Sequence, residues 1–506
     1  MKEKITIIGG GLGGLFTGSL LSRLGYTVTV LEKNHIIGGG LQTFTRYGQS
    51  FETGMHILGG LREGGSIHKI CSFLGIADRL NVCDVDGDCI DTIIYGSDGR
   101  EYRIPRGREN FTAYLSSLFP SEAEGLRRYV DRMYALANEV DMFYLRKEAD
   151  SIFGHDEEFL LPADEFIARY ISDIRLRDIL GYMNPMYAGM RGHTPAYIHC
   201  LINVLYIAGP SRFVGGSQQM ADLLRDVITG SGGEVRNDSE VVRVACSTEL
   251  SRRVDFVEDK KGNRYVSDYY ISAIHPQSLL EICDEGAFPK AFVRRVSSLP
   301  NTYSCFVLFL IFHPDSFPYI NHTGYYQDDY GIVWDYGIYD DRWPRGMMYM
   351  TPCDTIGQTS ARKMIVNAPM PYEVVKQWEN TVTGHRGEDY ERWKTGRAEK
   401  IIDKLERIFP YIRSKIKTYF SASPLTIRDY YNDKEGALYG IRKDSQNIVA
   451  SQVPVFSKIS NLLFTGQNVN LHGICGVPLT AVNTVEAIIG RGRLIDMINE
   501  NYEKKR

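Results

Sequence analysis

The chain begins with a short apolar run, Ile5-Thr6-Ile7-Ile8, in which Thr6 is the only polar residue. Such a run, closed by glycines, predicts a buried strand. Gly9-Gly10-Gly11-Leu12-Gly13-Gly14 follows, and Leu12, Leu15, Phe16, Leu20 and Leu24 then recur near one helical face. Gly25 stands where a helix end needs a left-handed residue. Thr27-Val28-Thr29-Val30-Leu31 predicts a second strand, with Glu32 at its end. The same reading predicts a helix over 218–229, strands over 232–235 and 241–244, and a hairpin plus strand over 254–273 with its turn at Lys261-Gly262-Asn263. Residues 304–312 form an apolar strand, expected to be buried. Near the C-terminus a strand ends at Gly466, a loop follows, and a helix runs through Ile489, with Pro478 expected in its first turn, where no N–H partner is needed. Strands alternating with helices place the chain in the α/β class.

The first glycine cluster has the spacing of a phosphate cradle. Gly9 permits a tight turn, Gly11 lets a pyrophosphate approach the backbone, and Gly14 lets helix and strand pack closely. The helix, read from about Gly11 to Leu24, adds at its start, with Leu12 and Gly13, unpaired N–H groups and a positive dipole end. Glu32 lies 23 residues after Gly9, where a carboxylate accepts hydrogen bonds from ribose hydroxyls and repels a 2′-phosphate. A dinucleotide other than NADP is expected, and this motif alone leaves NAD and FAD open. After Lys33, the glycines Gly38, Gly39 and Gly40, followed by Leu41, suggest a second backbone approach to the same cofactor.

With 506 residues the chain exceeds one ordinary core. Apolar residues make up 43% and charged residues 24%, with a net charge of −4. That balance describes a globular protein with no nucleic-acid footprint. The nine cysteines are dispersed and form no CxxC pair, which fits free thiols in a reducing compartment. Asp84, Asp86, Asp88 and Asp91 lack the glycine and glutamate of a calcium loop, so no metal site is expected. No secretory leader and no spanning segment are read, so a cytoplasmic protein is expected.

At Glu32 to Thr43 the sequence resembles the phytoene desaturase family, whose superfamily includes carotenoid isomerases, retinol saturases and, more distantly, amine oxidases. Gly40 stands where many members carry Arg. The segment from Phe51 to Gly60, the stretches around Pro105-Arg106-Gly107 and Phe119-Pro120, and Pro424 to Gly440 resemble the same family in order. Gly466-Gln467 and Gly473-Ile474-Cys475-Gly476-Val477-Pro478 resemble its C-terminal flavin motif, with Gln467 where many members have Asp. The resemblance implies FAD, held by both ends of the chain, with Val241 pairing its backbone to the adenine edge. It also implies that the dipole of the helix after Gly473 favours negative charge on reduced flavin.

The implied architecture is a Rossmann-like FAD-binding domain of the amine oxidase and phytoene desaturase type with an inserted α+β substrate domain. The former is expected over 1–75, 210–285 and 445–506, the latter over 76–209 and 286–444. Tyr182, Tyr187, Tyr206, Met183, Met186 and Phe213 are candidates to line an elongated apolar cavity. The implied activity is desaturation, saturation or isomerisation at carbon–carbon bonds of an apolar polyene, isoprenoid or retinoid-like small molecule, collected by peripheral membrane contact. Neither direction nor oligomeric state is legible. His56 and His472 are the candidate acid–base residues. Two rivals stand beside this reading: a flavin amine or amino-acid oxidase, and a non-catalytic lipid-binding protein similar to the GDP-dissociation inhibitors of small GTPases.

Overall fold

Ile5, Ile7 and Ile8 are buried in the strand Lys4–Ile8, which pairs in parallel with Thr27–Leu31 on one side and Tyr269–Ser272 on the other. The computed structural model describes residues 3–54, 57–147, 155–247 and 252–505. Glu234–Arg236 and Leu462–Phe464 complete this five-stranded sheet at its two edges, both in parallel register. The edge strand near the C-terminus thus extends a sheet begun at residue 4. The helix Leu12–Arg23 packs between Gln218–Gly230 and Gly473–Ile489. Covered on its faces, a parallel sheet becomes wholly apolar, which explains the unbroken runs read above. The hairpin Arg253–Asp259 with Arg264–Tyr265 joins Val241–Ser247 in a separate antiparallel sheet.

The second large sheet has seven strands. In order they are Ile416–Ala422, Ser304–Phe312, Lys363–Met370, Gly346–Met350, Thr323–Gln327, Asp91–Tyr95 and Glu101–Ile104. All neighbours are antiparallel except Thr323–Gln327 with Asp91–Tyr95. Every residue of Ser304–Phe312 is buried, because both faces are covered. Phe306, Leu308, Leu310 and Phe312 belong to one cluster, whereas Cys305, Val307, Phe309 and Ile311 belong to the other. That period of two is the pleat of the strand. The first cluster is closed by the helix Glu388–Ile408 through Ala398, Ile401, Ile402 and Leu405, whose spacing makes one helical stripe. The second face looks toward the five-stranded sheet. No helix among the described residues is long and apolar enough to cross a membrane.

Pro478 departs from expectation. The helix Gly473–Ile489 begins earlier, so Pro478 is inside it rather than in its first turn. With no N–H at Pro478, the carbonyl of Ile474 loses its intrahelical donor.

Candidate active site

A cavity of about 960 Å³ runs between the two large sheets, at the upper end of the roughly 300–1,000 Å³ typical of small-molecule sites. At one end it is built almost entirely of backbone. Gly9 has φ +104°, which only glycine adopts freely. Gly11 caps the helix Leu12–Arg23 with no side-chain bond, and its carbonyl accepts the Leu15 N–H at 3.0 Å. The N–H groups of the first turn are therefore left for a ligand. A Cβ at Gly11 would meet only Gly39 Cα, at 4.0 Å, and otherwise open space. A Cβ at Gly13 would stand 2.8 Å from Gly466 Cα, so the two ends of the chain touch at this point. Thr17 and Thr465 share a hydrogen bond of 2.9 Å across the same contact. The second glycine cluster docks on the first, with the Gly38 N–H donating to the Gly10 carbonyl at 2.8 Å.

Glu32 is buried and lines the cavity. One carboxylate oxygen accepts the Gly10 N–H and the other the Asn34 N–H, each at 2.8 Å. Burial raises its pKa, opposed by these backbone bonds. The amides fix the plane of the carboxylate and leave further lone pairs to the cavity. Burial lowers the Lys33 pKa, partly offset by Glu32, and its ammonium donates to the Asp429 carbonyl at 3.1 Å. Gln467 donates to Asp433 at 2.9 Å. Burial pushes that carboxyl up to about 7, against the Gln467 bond and the Lys33 charge.

His472 is buried at the N-cap of Gly473–Ile489. Its ring packs 5.0 Å from that of Tyr439, and its Nε2 has no partner among the described residues. Burial, with the charge of Lys443, pushes its pKa down to about 3. A ring lowered this far is the neutral imidazole near pH 7, with one N–H donor and one acceptor nitrogen. Lys443 itself is buried, donates to the Asn468 and Val469 carbonyls at 3.1 and 3.0 Å, and is pushed by burial down to about 8. It clamps the loop that leads into the helix start.

A family model described as flavin containing amine oxidoreductase matches residues 12–489. The chain belongs to that family. Over 98% of its length it is 25% identical to an all-trans-retinol 13,14-reductase of Macaca fascicularis, of which it covers 87%. Over 95% of its length it is 24% identical to a 4,4'-diapolycopene oxygenase of a Methylomonas species, covering 96% of that protein. Among solved structures, putrescine oxidase bound to putrescine aligns with a TM-score of 0.65 at 14% identity, over 97% of this chain and 100% of that one. That likeness establishes a shared fold.

In this flavin oxidoreductase the residues singled out by sequence converge unevenly. Gly9, Gly11, Leu12, Gly13, Glu32, Lys33, Gly39, Gly40, Leu41, Val241, Gly466, Gln467, His472 and Val477 all line the one cavity. Gly14 and Gly476 sit behind its wall. A Cβ on Gly14 would stand 1.9 Å from the Gly9 carbonyl oxygen, and one on Gly476 would stand 2.6 Å from Leu471 Cβ, so both are packing positions. Nothing lies within 4 Å of a Cβ at Gly40, which leaves room for the arginine of other members. His56 lies outside the described residues. Of the expected aromatic lining, Met186 and Tyr206 reach the cavity. Tyr182, Tyr187, Met183 and Phe213 are core instead, with Tyr182 bonded to Asp91 and Tyr187 to His199.

Sequence reasoning missed the far wall. Cys305 and Val307, Met348, and Asn367 and Pro369 face the cavity from three adjacent strands. Alternation was the only available signal, and it is hidden where both faces are buried. Asp433 was missed too, although it lies within the segment Pro424 to Gly440 that carried the resemblance.

Proposed function

We propose that the chain is an FAD-dependent oxidoreductase acting on carbon–carbon bonds of an apolar polyene, isoprenoid or retinoid-like molecule. One observation carries this reading: a single cavity joins the glycine cradle to an apolar chamber walled by Ile202, Leu205, Val307, Met348, Ile427 and Leu438. The names of the relatives, a retinol reductase and a diapolycopene oxygenase, support the same substrate class. Residues 1–75, 210–285 and 445–506 form the cofactor unit in this reading, and 76–209 with 286–444 the substrate unit.

The cradle fits a dinucleotide. Gly11 holds open the space a phosphate needs, and the free N–H groups at the start of Leu12–Arg23 suit its charge. Glu32 and Val241 both line the cavity; in this reading Glu32 would take the ribose hydroxyls and Val241 would lie beside the adenine. Gly466, Gln467 and the start of Gly473–Ile489 hold the flavin end. The flavin, when bound, accepts or returns a hydride. The protein's own part is to hold the substrate against that face, exclude water with its apolar walls, and offer a positive helix end to developing negative charge. The neutral His472 contributes a hydrogen bond at that end.

The test is release of the bound cofactor from purified protein by mild denaturation. One FAD per chain, free of covalent adduct, is the expected result. A chain that carries no flavin, or only FMN or NAD, contradicts the proposal.

A further inference from the structure

The chamber floor carries one feature that an oily pocket does not need. Asn367 lies in the middle of Lys363–Met370, half-buried, with its side chain on the cavity face. The register places Val307 directly opposite on one neighbouring strand and Met348 on the other. Two positions along the same face are Ile365 and Pro369, flanked by Phe309 and Cys305. The sheet neighbours of Asn367 on this face are uncharged and apolar, and its side chain makes no hydrogen bond to the described residues. An amide brings two donors and one acceptor oxygen. An apolar ligand segment over Asn367 would leave those groups without a partner.

We propose that Asn367 is a specificity-determining residue, and that the preferred substrate is an apolar chain bearing a neutral oxygen, a hydroxyl or carbonyl, that hydrogen-bonds to it. This rests on the polyene reading above and narrows it, since a pure hydrocarbon would leave the amide unpaired. A neutral oxygen fits better than a carboxylate, because no sheet neighbour of Asn367 supplies a positive charge. Sites built to bond a substrate hydroxyl discriminate strongly against the analogue that lacks it.

The experiment uses flavin-loaded protein in detergent and follows perturbation of the flavin absorption band. The probes are a polyene alcohol such as retinol and the same polyene with hydrogen in place of the hydroxyl. The wild-type protein should bind the alcohol at least about tenfold more tightly, the ratio that one unpaired polar group produces. Asn367→Leu should abolish the binding preference while flavin content stays unchanged. Asn367→Thr, which puts a hydroxyl donor and acceptor in place of the amide on a β-branched side chain suited to a strand, should keep part of that preference. Equal binding of both probes by the wild-type protein overturns the inference whatever the variants do. So does loss of flavin from Asn367→Leu with the probe ratio unaltered, which would assign the amide to the cofactor. A flavin-loaded protein that responds to neither probe contradicts the proposed substrate class itself, and the inference falls with it.

Discussion

The strands Lys4–Ile8 and Ser304–Phe312 both contribute to one cavity, but they present different things to it. The first delivers the chain into a glycine turn, so the wall at its end is backbone: Gly9, Gly11, Gly13 and, from the opposite terminus, Gly466. The second presents side chains, with Cys305 and Val307 facing inward beside Asn367 and Met348. A backbone wall reads a feature common to all dinucleotides, phosphate charge and shape, and its fixed N–H groups need no side chain to aim them. A side-chain wall reads what differs between substrates, and single substitutions retune it. The comparison predicts that changes in the first region act on cofactor content or folding, whereas changes in the second act on turnover with the cofactor retained.

The largest effect is expected at the glycines, where two neighbours should fail differently. Gly11→Val places its branch in open cavity space. It should leave a folded protein that has lost its flavin. Gly14→Val drives a Cβ to 1.9 Å from the Gly9 carbonyl oxygen, a backbone clash that nothing flexible relieves. It should unfold or aggregate the protein, at a cost of several kcal/mol of the kind overpacking gives. Flavin absorbance and circular dichroism on both variants check this. A Gly11→Val protein with normal flavin content would show that the cradle lies elsewhere.

In the side-chain wall, Met348→Trp should fill the chamber from the middle of the sheet. Turnover of a polyene should fall by a factor of ten or more, by analogy with the 1–3 kcal/mol of overpacking, while flavin content remains that of the wild type. Flavin loss in parallel with activity would erase the distinction between the two regions.

His472, at the N-cap of Gly473–Ile489, lines the same cavity, and its titration offers a subtler test. Its pKa is about 3 when folded, against 6.5 as the ordinary value. Between these values the unfolded chain binds a proton that the folded one does not, so stability rises with pH across the window and is lost as pH falls. The contribution is about 1.4 kcal/mol per pH unit. His199, His275 and His322 are also lowered by burial, so the informative quantity is the wild type minus His472→Gln. That difference should slope by one proton between about pH 3 and 6.5 in urea titrations. A flat difference would mean that the imidazole is not buried.

The same contrast explains what sequence could and could not reveal. The cofactor half was legible because its constraints are local: Gly9 must turn, Gly11 must leave space, and Glu32 must follow at the end of the next strand. Its C-terminal partner, Gly466 to Val477, was legible through resemblance, although nothing local says that Gly466 touches Gly13. The substrate half was not legible in detail. Ser304–Phe312 reads as apolar throughout, so the inward set cannot be told from the outward set without its neighbours' register. Asn367 looks like an isolated polar residue in an apolar strand. Its meaning appears only when Val307 and Met348 are placed beside it. For Tyr182 and Tyr187 sequence left cavity lining and aromatic core both open, and their bonds to Asp91 and His199 mark the core.

The central claim is that a flavin bound by the backbone wall faces a chamber built for polyenes. The most direct test mixes flavin-loaded protein, oxidised and chemically reduced in separate runs, with a polyene alcohol in detergent under anaerobic conditions. The polyene band and the flavin band are followed together, because desaturation, saturation and isomerisation each move the former. The expected result is a change in the polyene band in one of the two runs, with no flavin bleaching by putrescine or other water-soluble amines. Rapid bleaching by an amine, with the polyene spectrum unmoved in both runs, would contradict the account and establish an amine oxidase in its place.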